Sequence, residues 1–237
     1  MVSNIAKYLD STYLKTATEA GITDSENKKF VFSVINEAIT YNFACIMIRP
    51  NFVLEAIGRI KSLGSEIKVG TVIDFPFGDG TTQLKVEEAK KAIQNGAFDI
   101  DFVCDYNAFK RGSFEKFDKD ILEGTKVCVE SNYITKWIIE TGALSKDEIK
   151  KISQRISGLI ASNFSAHCGN IFIKTSTGYY GGYGATISDV KLIKSVAGDL
   201  KIKASGGISS YKCAIDMILA GADRIGTSKA KLIYLQK

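Results

Sequence analysis

Histidine is almost absent from this sequence, which contains one among 237 residues. Zinc enzymes generally use two or three imidazole ligands, and a Ser-His or Cys-His nucleophile needs an imidazole that a carboxylate orients. The one histidine, His167, stands in SNFSAHCGN at the expected end of a helix, where a simple interaction with the helix dipole is the better interpretation. Lysine and carboxylate side chains therefore remain as the candidate catalytic groups.

Proline is also scarce, with two residues, and no Ser/Gly-rich linker or low-complexity tract interrupts the chain. A hydrophobic fraction of 45% and a charged fraction of 24% are typical of a globular protein and exclude disordered and fibrous classes. The length would allow two small domains, but an α/β barrel of this size is commonly one. We therefore expect one domain over residues 1–237.

Long apolar runs are missing, because none approaches the roughly 18 residues of a transmembrane helix. The opening MVSNIAKYLD is not a basic-then-apolar leader, so we expect a cytoplasmic protein without a membrane partner. The net charge of +5 is modest, and its Lys and Arg residues are scattered among Asp and Glu. This pattern disfavours nucleic acid and suits a small anionic substrate.

Cysteine is present but lacks the patterns that indicate a disulfide framework or a metal site. The cysteines are odd in number, have no C-x-x-C spacing and mostly lie in apolar segments, so we expect them to be reduced and mainly structural. They are Cys45, Cys104, Cys128, Cys168 and Cys213.

Apolar runs of strand length alternate with helical periodicity along the whole sequence. We predict about eight strands, the number that closes a parallel barrel. No G-x-G-x-x-G follows an early strand, so we favour a single (β/α)8 TIM barrel over a doubly wound open sheet. The predicted strands cover residues 8–11, 43–48, 67–75, 98–104, 135–140, 171–177, 201–205 and 223–227.

Helices are predicted between these strands. Thr23 with Glu26 and Ser145 with Glu148 fit the S/T-x-x-E capping box, and an apolar stripe follows each pair. Further helical patterns cover residues 51–63, 83–95, 188–197 and 210–220.

Residues 113–134 can be interpreted in two ways. The run KVCVE has strand propensity, whereas the apolar residues from Phe114 to Cys128 have helical spacing. We favour one long helix interrupted by Gly124, because this choice leaves one helix for each strand.

Charge stands at the ends of three predicted strands. Asp101 lies in FDIDFVCD, Lys174 in IFIKTSTG and Lys203 in KIKASGG. Catalytic groups of such barrels lie at the C-terminal ends of strands. Each residue alone could belong to a purely structural Asp–Lys pair, but three at one end of a barrel favour chemistry.

Two lysines beside an acid suggest a Schiff-base mechanism. At the ordinary lysine pKa of about 10.4, only about 0.04% of the side chain is the neutral nucleophile at pH 7. Burial and a second cation both lower that pKa, and Lys203 can supply the cation to Lys174 while Asp101 relays protons.

Glycine-rich turns follow the last two predicted strands. GGIS at 206–209 precedes a predicted helix near 210, and IGTSK at 225–229 follows the eighth strand. Both turns can present backbone N–H groups to a phosphate, and these are the loops that commonly bind phosphate in barrels.

The ordered set of motifs resembles the deoxyribose-phosphate aldolase family of class I, Schiff-base-forming aldolases. The resemblance covers nearly the whole chain, through YLDSTYLK, VIDFPFGDGTTQLKVEEAKKAI, GAFDIDFVCDYNAFKRG, KWIIETGALSKDEI, IFIKTSTGYYGGYGAT, IKASGGISS and AGADRIGTS. It implies reversible cleavage of 2-deoxy-D-ribose 5-phosphate to acetaldehyde and D-glyceraldehyde 3-phosphate, with neither a metal nor an organic cofactor. A homo-oligomer is compatible with the sequence.

The resemblance also implies roles for individual residues. Lys174 would form the imine, Lys203 would perturb the pKa of Lys174, and Asp101 would shuttle protons through water. Substrate-binding positions fall on Cys45, Thr177, Gly178, Gly206, Gly207, Gly226 and Ser228.

This chain departs from the family pattern outside the three catalytic positions. Ser209 stands where Arg often follows GGI or GGV, and Ser11 replaces the His of the opening D-H-T-x-L motif. Asp74 replaces the frequent Gly of GFP. These differences bear on efficiency and substrate preference more than on reaction type, and Lys229 could compensate for Ser209.

Two other functions stay open. A buried lysine with a lowered pKa also serves Schiff-base aldolases of other phosphosugars. A barrel with these turns could also bind a phosphorylated metabolite without catalysis. Nucleic-acid binding ranks last, because it needs clustered cations.

Overall fold

The computed structural model describes residues 4–237, and its eight parallel strands form a closed barrel in chain order. The predicted (β/α)8 TIM barrel is therefore confirmed. The strands are β1 Leu9–Tyr13, β2 Cys45–Ile48, β3 Lys68–Ile73, β4 Asp99–Val103, β5 Ile134–Ile138, β6 Ile171–Lys174, β7 Lys201–Ser205 and β8 Arg224–Thr227.

Helices surround the barrel and connect its strands. Short 3₁₀ helices lie at Ile5–Tyr8, Pro50–Phe52, Thr141–Ala143 and Ser165–Asn170. The α-helices are α1 Ala17–Ala20, α2 Asp24–Thr40, α3 Val53–Ser62, α4 Thr82–Gln94, α5 Tyr106–Lys110, α6 Phe114–Val129, α7 Lys146–Asn163, α8 Ile187–Lys194, α9 Tyr211–Leu219 and α10 Ala230–Leu235.

Both predicted capping boxes are present. The Thr23 and Ser145 hydroxyls accept from the backbone N–H groups of Glu26 and Glu148, whose carboxylates accept in return from the cap residues' N–H groups. These reciprocal bonds satisfy donors that a helix start leaves unpaired and fix the first residues of α2 and α7.

The ambiguous segment forms one helix, α6, as we favoured. The expected interruption at Gly124 is wrong, because the helix continues through that residue. A Cβ atom at Gly124 would lie 2.8 Å from the Trp137 ring. Glycine is needed there because it lets α6 approach β5 closely.

The main apolar core lies between the outer face of the barrel and the helices, where side chains such as Trp137, Phe102 and Phe117 are fully buried. Complete burial of such a side chain contributes roughly 2–3 kcal/mol. The inside of the barrel differs, because several buried Lys and Asp side chains occupy it. That polar interior positions the candidate site.

Several remaining expectations concern isolated residues. His167 lies in the last turn of the Ser165–Asn170 3₁₀ helix, after α7 has ended. All five cysteines are free thiols, with Cys45, Cys104 and Cys128 buried. Over residues 4–237, no helix has both the length and the apolar character that crossing a membrane requires.

Candidate active site

Lys174, Lys203 and Asp101 meet inside the barrel. The Lys174 Nζ lies 2.8 Å from the Asp101 Oδ2, and the Lys203 Nζ lies 2.9 Å from the same oxygen. Lys174 is 3% exposed, Lys203 1% and Asp101 0%. The three sequence-predicted residues therefore form one buried cluster.

Strand register explains why these residues meet. Lys174 is the last residue of β6 and pairs with Lys203 on β7, so both side chains leave neighbouring strands at one height. Since alternate side chains of a barrel strand face inward, Asp99 and Asp101 of β4 both enter the interior. Asp101 then contacts the two ammonium groups across the barrel interior.

Six charged side chains of alternating sign form a closed ring inside the barrel. They come from β4 and β7, which also carry two of the three predicted residues, and from β1, β5 and β8. We call the set the charged ring, and its members in order are Asp101, Lys203, Asp10, Arg224, Asp99 and Lys136.

The contacts around the charged ring are short except at one place. From Lys203 the ring continues 2.7 Å to Asp10, which accepts a hydrogen bond from Arg224. Arg224 lies 3.9 Å from Asp99, which is the longest contact. Lys136 closes the ring, at 2.6 Å from Asp99 and 3.0 Å from Asp101. Lys174 contacts the ring through Asp101.

Burial lowers the pKa of the Lys174 ammonium from 10.5 to about 8, since desolvation penalises the charged form. Asp101 opposes this shift, whereas Lys203 and then Lys136 add to it by repulsion. The ion pair with Asp101 therefore does not hold the pKa of Lys174 at its ordinary value. At pH 7, about 9% of a group with this pKa is neutral, against roughly 0.03% at 10.5.

The Asp101 carboxyl has the opposite balance. Burial alone would raise its pKa, but Lys136, Lys174 and Lys203 together hold the pKa well below the ordinary value of 3.8. Asp101 is consequently ionised at neutral pH and can accept a proton from a neighbouring group.

A cavity of about 950 Å³ opens above Lys174, at the C-terminal end of the strands. Lys174 is one of its lining residues, so the buried amine faces a space that a small molecule can enter. The lining also contains six of the seven sequence-predicted substrate residues: Thr177, Gly178, Gly206, Gly207, Gly226 and Ser228.

The seventh residue, Cys45, does not line that cavity. It is 0% exposed on β2 and belongs to a small apolar cluster with Leu14, Met47 and Val72. Burial raises the pKa of its thiol well above the ordinary value, with Asp99 and Asp10 adding to the shift. Cys45 thus lies beside the charged ring and stays a neutral thiol.

The glycine turns have the backbone conformations that such a pocket requires. Gly206 and Gly207 have φ angles of 89° and 74°, in the left-handed region that favours glycine. A Cβ atom at Gly184 would lie 2.3 Å from the Gly206 carbonyl oxygen, so the loop after β6 packs directly on the turn after β7. The two loops therefore fix each other's position at the cavity.

Positive side chains stand at the cavity where a phosphate would bring negative charge. Lys229 and Ser209 both line it, as does Lys15 from the loop after β1. Lys229 also donates its backbone N–H to the Thr227 hydroxyl at 2.9 Å, which fixes the turn after β8. Lys229 thus places a cation next to the turn after β8 even though Ser209 is neutral, while Glu19 and Glu37 also line the cavity.

Asp10, Lys136 and Arg224 are site residues that our sequence reasoning missed. Lys136 interrupts the largely apolar segment YITKWII as Lys174 interrupts its strand, and this signal could have found it. Asp10 and Arg224 stand at the edges of short strands, where an exposed position would have been the ordinary interpretation.

Glu140 was also missed. It is 1% exposed, has a φ angle of 56°, and its carboxylate accepts from both the backbone N–H and the hydroxyl of Thr177. Burial raises the pKa of Glu140, and the bonds from Thr177 oppose that shift. Glu140 thereby connects the end of β5 to the cavity lining.

One group of donors in the described part of the chain has the spacing of a metal site. One ligand atom from each of Asp10, Cys45 and Asp99 lies within 4.8 Å of the others. The two carboxylates already contact Lys203, Arg224 and Lys136, and these cations would repel a metal ion. The donor set therefore does not fit a cation.

Tyr234, near the chain end, lies away from the cavity lining. Its ring centroid is 5.1 Å from that of Tyr41 and 6.1 Å from that of Phe43. Tyr41 directly follows α2 and Phe43 precedes β2, so this aromatic cluster belongs to the N-terminal side of the barrel.

Comparisons with known proteins show the family of this chain and agree with its fold. A family model described as DeoC/LacD family aldolase matches residues 8–227. The deoxyribose-phosphate aldolase of Staphylococcus saprophyticus is 42% identical over 226 residues, covering 95% of this chain and 93% of that protein.

Two solved structures show the same similarity in three dimensions. One, described as "QR15, an Aldolase", is 35% identical with a TM-score of 0.80 and covers 99% of this chain and 96% of that chain. The other, a deoxyribose phosphate aldolase from Aeropyrum pernix with a tetrameric structure, is 28% identical with a TM-score of 0.78, covering 98% and 89%.

Proposed function

Since this chain belongs to the DeoC/LacD aldolase family, we propose that it reversibly cleaves 2-deoxy-D-ribose 5-phosphate to acetaldehyde and D-glyceraldehyde 3-phosphate. The observation that carries the proposal is the position of Lys174. Its buried amine has a pKa lowered to about 8 and lines a cavity bordered by two glycine turns.

Lys174 is the nucleophile in this proposal. Its neutral amine adds to C1 of the open-chain sugar, and loss of water leaves an iminium ion. The C2–C3 bond then breaks, its electron pair moves toward the iminium nitrogen, and the C3 hydroxyl loses its proton as glyceraldehyde 3-phosphate leaves. The enamine that remains takes a proton at C2, and hydrolysis releases acetaldehyde and free Lys174.

Asp101 and Lys203 support these steps. Asp101 is ionised and 2.8 Å from the Lys174 nitrogen, so it accepts the proton released at C3 through a water molecule and returns it at C2. The positive charge of Lys203 disfavours the ammonium form of Lys174.

The phosphate would lie against the turns after β7 and β8. Backbone N–H groups around Gly206, Gly207, Gly226 and Ser228 are the proposed donors, and Lys229 supplies countercharge. Thr177, held by Glu140, would contact the sugar hydroxyls. Cys45 lies off the cavity lining, which supports a packing role near the site more than a substrate contact.

Reductive trapping tests the proposal. Borohydride with acetaldehyde should attach an ethyl group to Lys174, detected by peptide mass spectrometry, and Lys174→Leu should abolish it. Lys201→Leu is the matched control, because Lys201 is exposed on the neighbouring strand and should leave trapping unchanged. An unmodified Lys174 in the wild-type protein would contradict any Schiff-base aldolase.

A different phosphosugar is the second candidate substrate. The cavity lining also includes the apolar side chains of Phe30, Val34 and Leu232, which a larger substrate than a five-carbon sugar phosphate could contact. A panel of sugar phosphates separates the two: trapping with acetaldehyde but no cleavage of 2-deoxyribose 5-phosphate would favour this alternative.

We also infer that residues 1–237 act as one catalytic domain in the cytoplasm, in deoxyribonucleotide catabolism. The closed barrel and the matched range 8–227 support the single domain, and the five free cysteines suit a reducing compartment. A homo-oligomer is supported by the tetrameric Aeropyrum pernix relative, and light scattering of the purified protein tests it.

A further inference from the structure

The charged ring is electrically balanced without Lys174. It contains three carboxylates, from Asp10, Asp99 and Asp101, and three cations, so its formal charges sum to zero. A protonated Lys174 adds a seventh charge to an interior where charges interact strongly because water is excluded. The neutral amine, in contrast, leaves the interior uncharged overall.

Arg224 supplies the third cation of the charged ring without contacting Lys174. It lies at the start of β8, its side chain is 17% exposed, and its ionic partners are Asp10 and Asp99. It does not line the cavity, and it connects to Lys174 through Asp101 along both sides of the ring, by way of Asp10 and Lys203 or of Asp99 and Lys136. Substrate therefore cannot touch it in this structure.

We propose that Arg224 and Asp10 are positioning residues that set the proton occupancy of Lys174 through the charged ring. The inference rests on the proposed Schiff-base function of Lys174. Removing the Arg224 cation leaves the ring with one excess negative charge, which favours the Lys174 ammonium. Removing the Asp10 carboxylate leaves one excess positive charge, which disfavours it.

The two substitutions therefore act in opposite directions. Charges a few ångströms beyond direct contact, in a medium of effective dielectric constant about 20, change a pKa by roughly one unit. Arg224→Met should move the pH midpoint of imine formation upward by roughly one unit, and Asp10→Asn should move it downward.

Other titratable groups around Lys174 are unchanged in these variants. Asp101 on β4, Lys203 on β7, Lys136 on β5 and Glu140 after β5 interact with the charge of Lys174. Asp99 on β4 contacts Lys136, and the Cys45 thiol on β2 lies beside the charged ring.

The experiment measures the initial rate of trapping of Lys174 by acetaldehyde and cyanoborohydride between pH 5.5 and 9.5. The reductant's own pH dependence is common to all proteins, so differences between midpoints report on the variants. Four variants are compared with wild type: Arg224→Met, Arg224→Lys, Asp10→Asn and the double variant Asp10→Asn/Arg224→Met. Circular dichroism shows which of them fold.

Arg224→Met should lose about tenfold in rate near pH 7 and regain it at higher pH, whereas Arg224→Lys should keep the wild-type midpoint. The double variant removes one charge of each sign and should also return to that midpoint. Where Asp10→Asn does not fold, Arg224→Met against Arg224→Lys decides alone.

The failures of the two proposals are distinguishable. Equal midpoints in folded wild type and Arg224→Met would overturn the role of the charged ring while leaving the Schiff-base function intact. A midpoint that moves downward in Arg224→Met would also overturn it. Absence of trapping in wild type at every pH would instead refute the proposed function itself.

Discussion

Lys174 and Asp101 form a buried ion pair, 2.8 Å from nitrogen to oxygen, in which the lysine still has a pKa lowered to about 8. An isolated pair of this kind would favour the ammonium form. Burial and the cations of Lys203 and Lys136 outweigh the pair, so one carboxylate orients the amine without keeping it fully protonated.

The rate of imine formation should level off near the pKa of Lys174. Only the neutral amine attacks, so between pH 6 and 7 the rate should rise roughly tenfold, with half of its maximum near pH 8. Trapping rates at saturating acetaldehyde measure this curve. A tenfold rise for every unit up to pH 9.5 would show that the pKa is not lowered.

Lys203→Met should shift the same curve upward. The substitution removes the cation that lowers the Lys174 pKa most, so that pKa rises and the neutral fraction at pH 7 falls by about tenfold or more. Lys203→Arg keeps the charge and is the control, with a smaller loss from altered geometry. Identical pH midpoints in Lys203→Met and wild type would refute the electrostatic role.

Gly184→Ala should weaken substrate binding. The new Cβ would lie 2.3 Å from the Gly206 oxygen, so the turn after β7 must move, and KM for a phosphorylated substrate should rise several-fold more than kcat falls. Gly58→Ala is the control, because no atom lies within 4 Å of its added Cβ. Equal KM values for the two variants would argue against a phosphate site at this turn.

Gly124→Ala should destabilise the fold by about 1–3 kcal/mol, since its Cβ would lie 2.8 Å from the buried Trp137 ring. Gly158→Ala, in the interior of α7 with open space around it, should instead stabilise by about 0.5–1 kcal/mol. Denaturant unfolding measures both. A Gly124→Ala protein as stable as wild type would mean that α6 can move outward at little cost.

Much of the fold could be predicted from the sequence because its signals are local. Apolar runs and capping boxes such as Thr23 with Glu26 act within a few residues. Asp101, Lys174 and Lys203 could be placed together because the functional groups of such barrels lie at the C-terminal ends of the strands. The predicted interruption of α6 at Gly124 was wrong, because packing against Trp137, a residue outside the helix, outweighs the low helix propensity of glycine.

The rest of the site depends on long-range geometry. The charged ring closes only when β1, β4, β5, β7 and β8 are set in one register, which no short segment encodes. Asp10 contacts Arg224 across 214 positions of sequence. Glu140 has a left-handed φ angle, which the residues around it in the sequence do not predict.

The low pKa of Lys174 has a consequence for the folding equilibrium. The unfolded chain binds a proton at this lysine up to about pH 10.5, whereas the folded protein releases it near 8. Below pH 8 the folded protein must hold the ammonium against its environment, at a cost of about 3 kcal/mol, and this cost fades only as the pH rises toward 10.5. At neutral pH the fold is therefore less stable for containing a reactive lysine, and the surrounding barrel has to offset that loss.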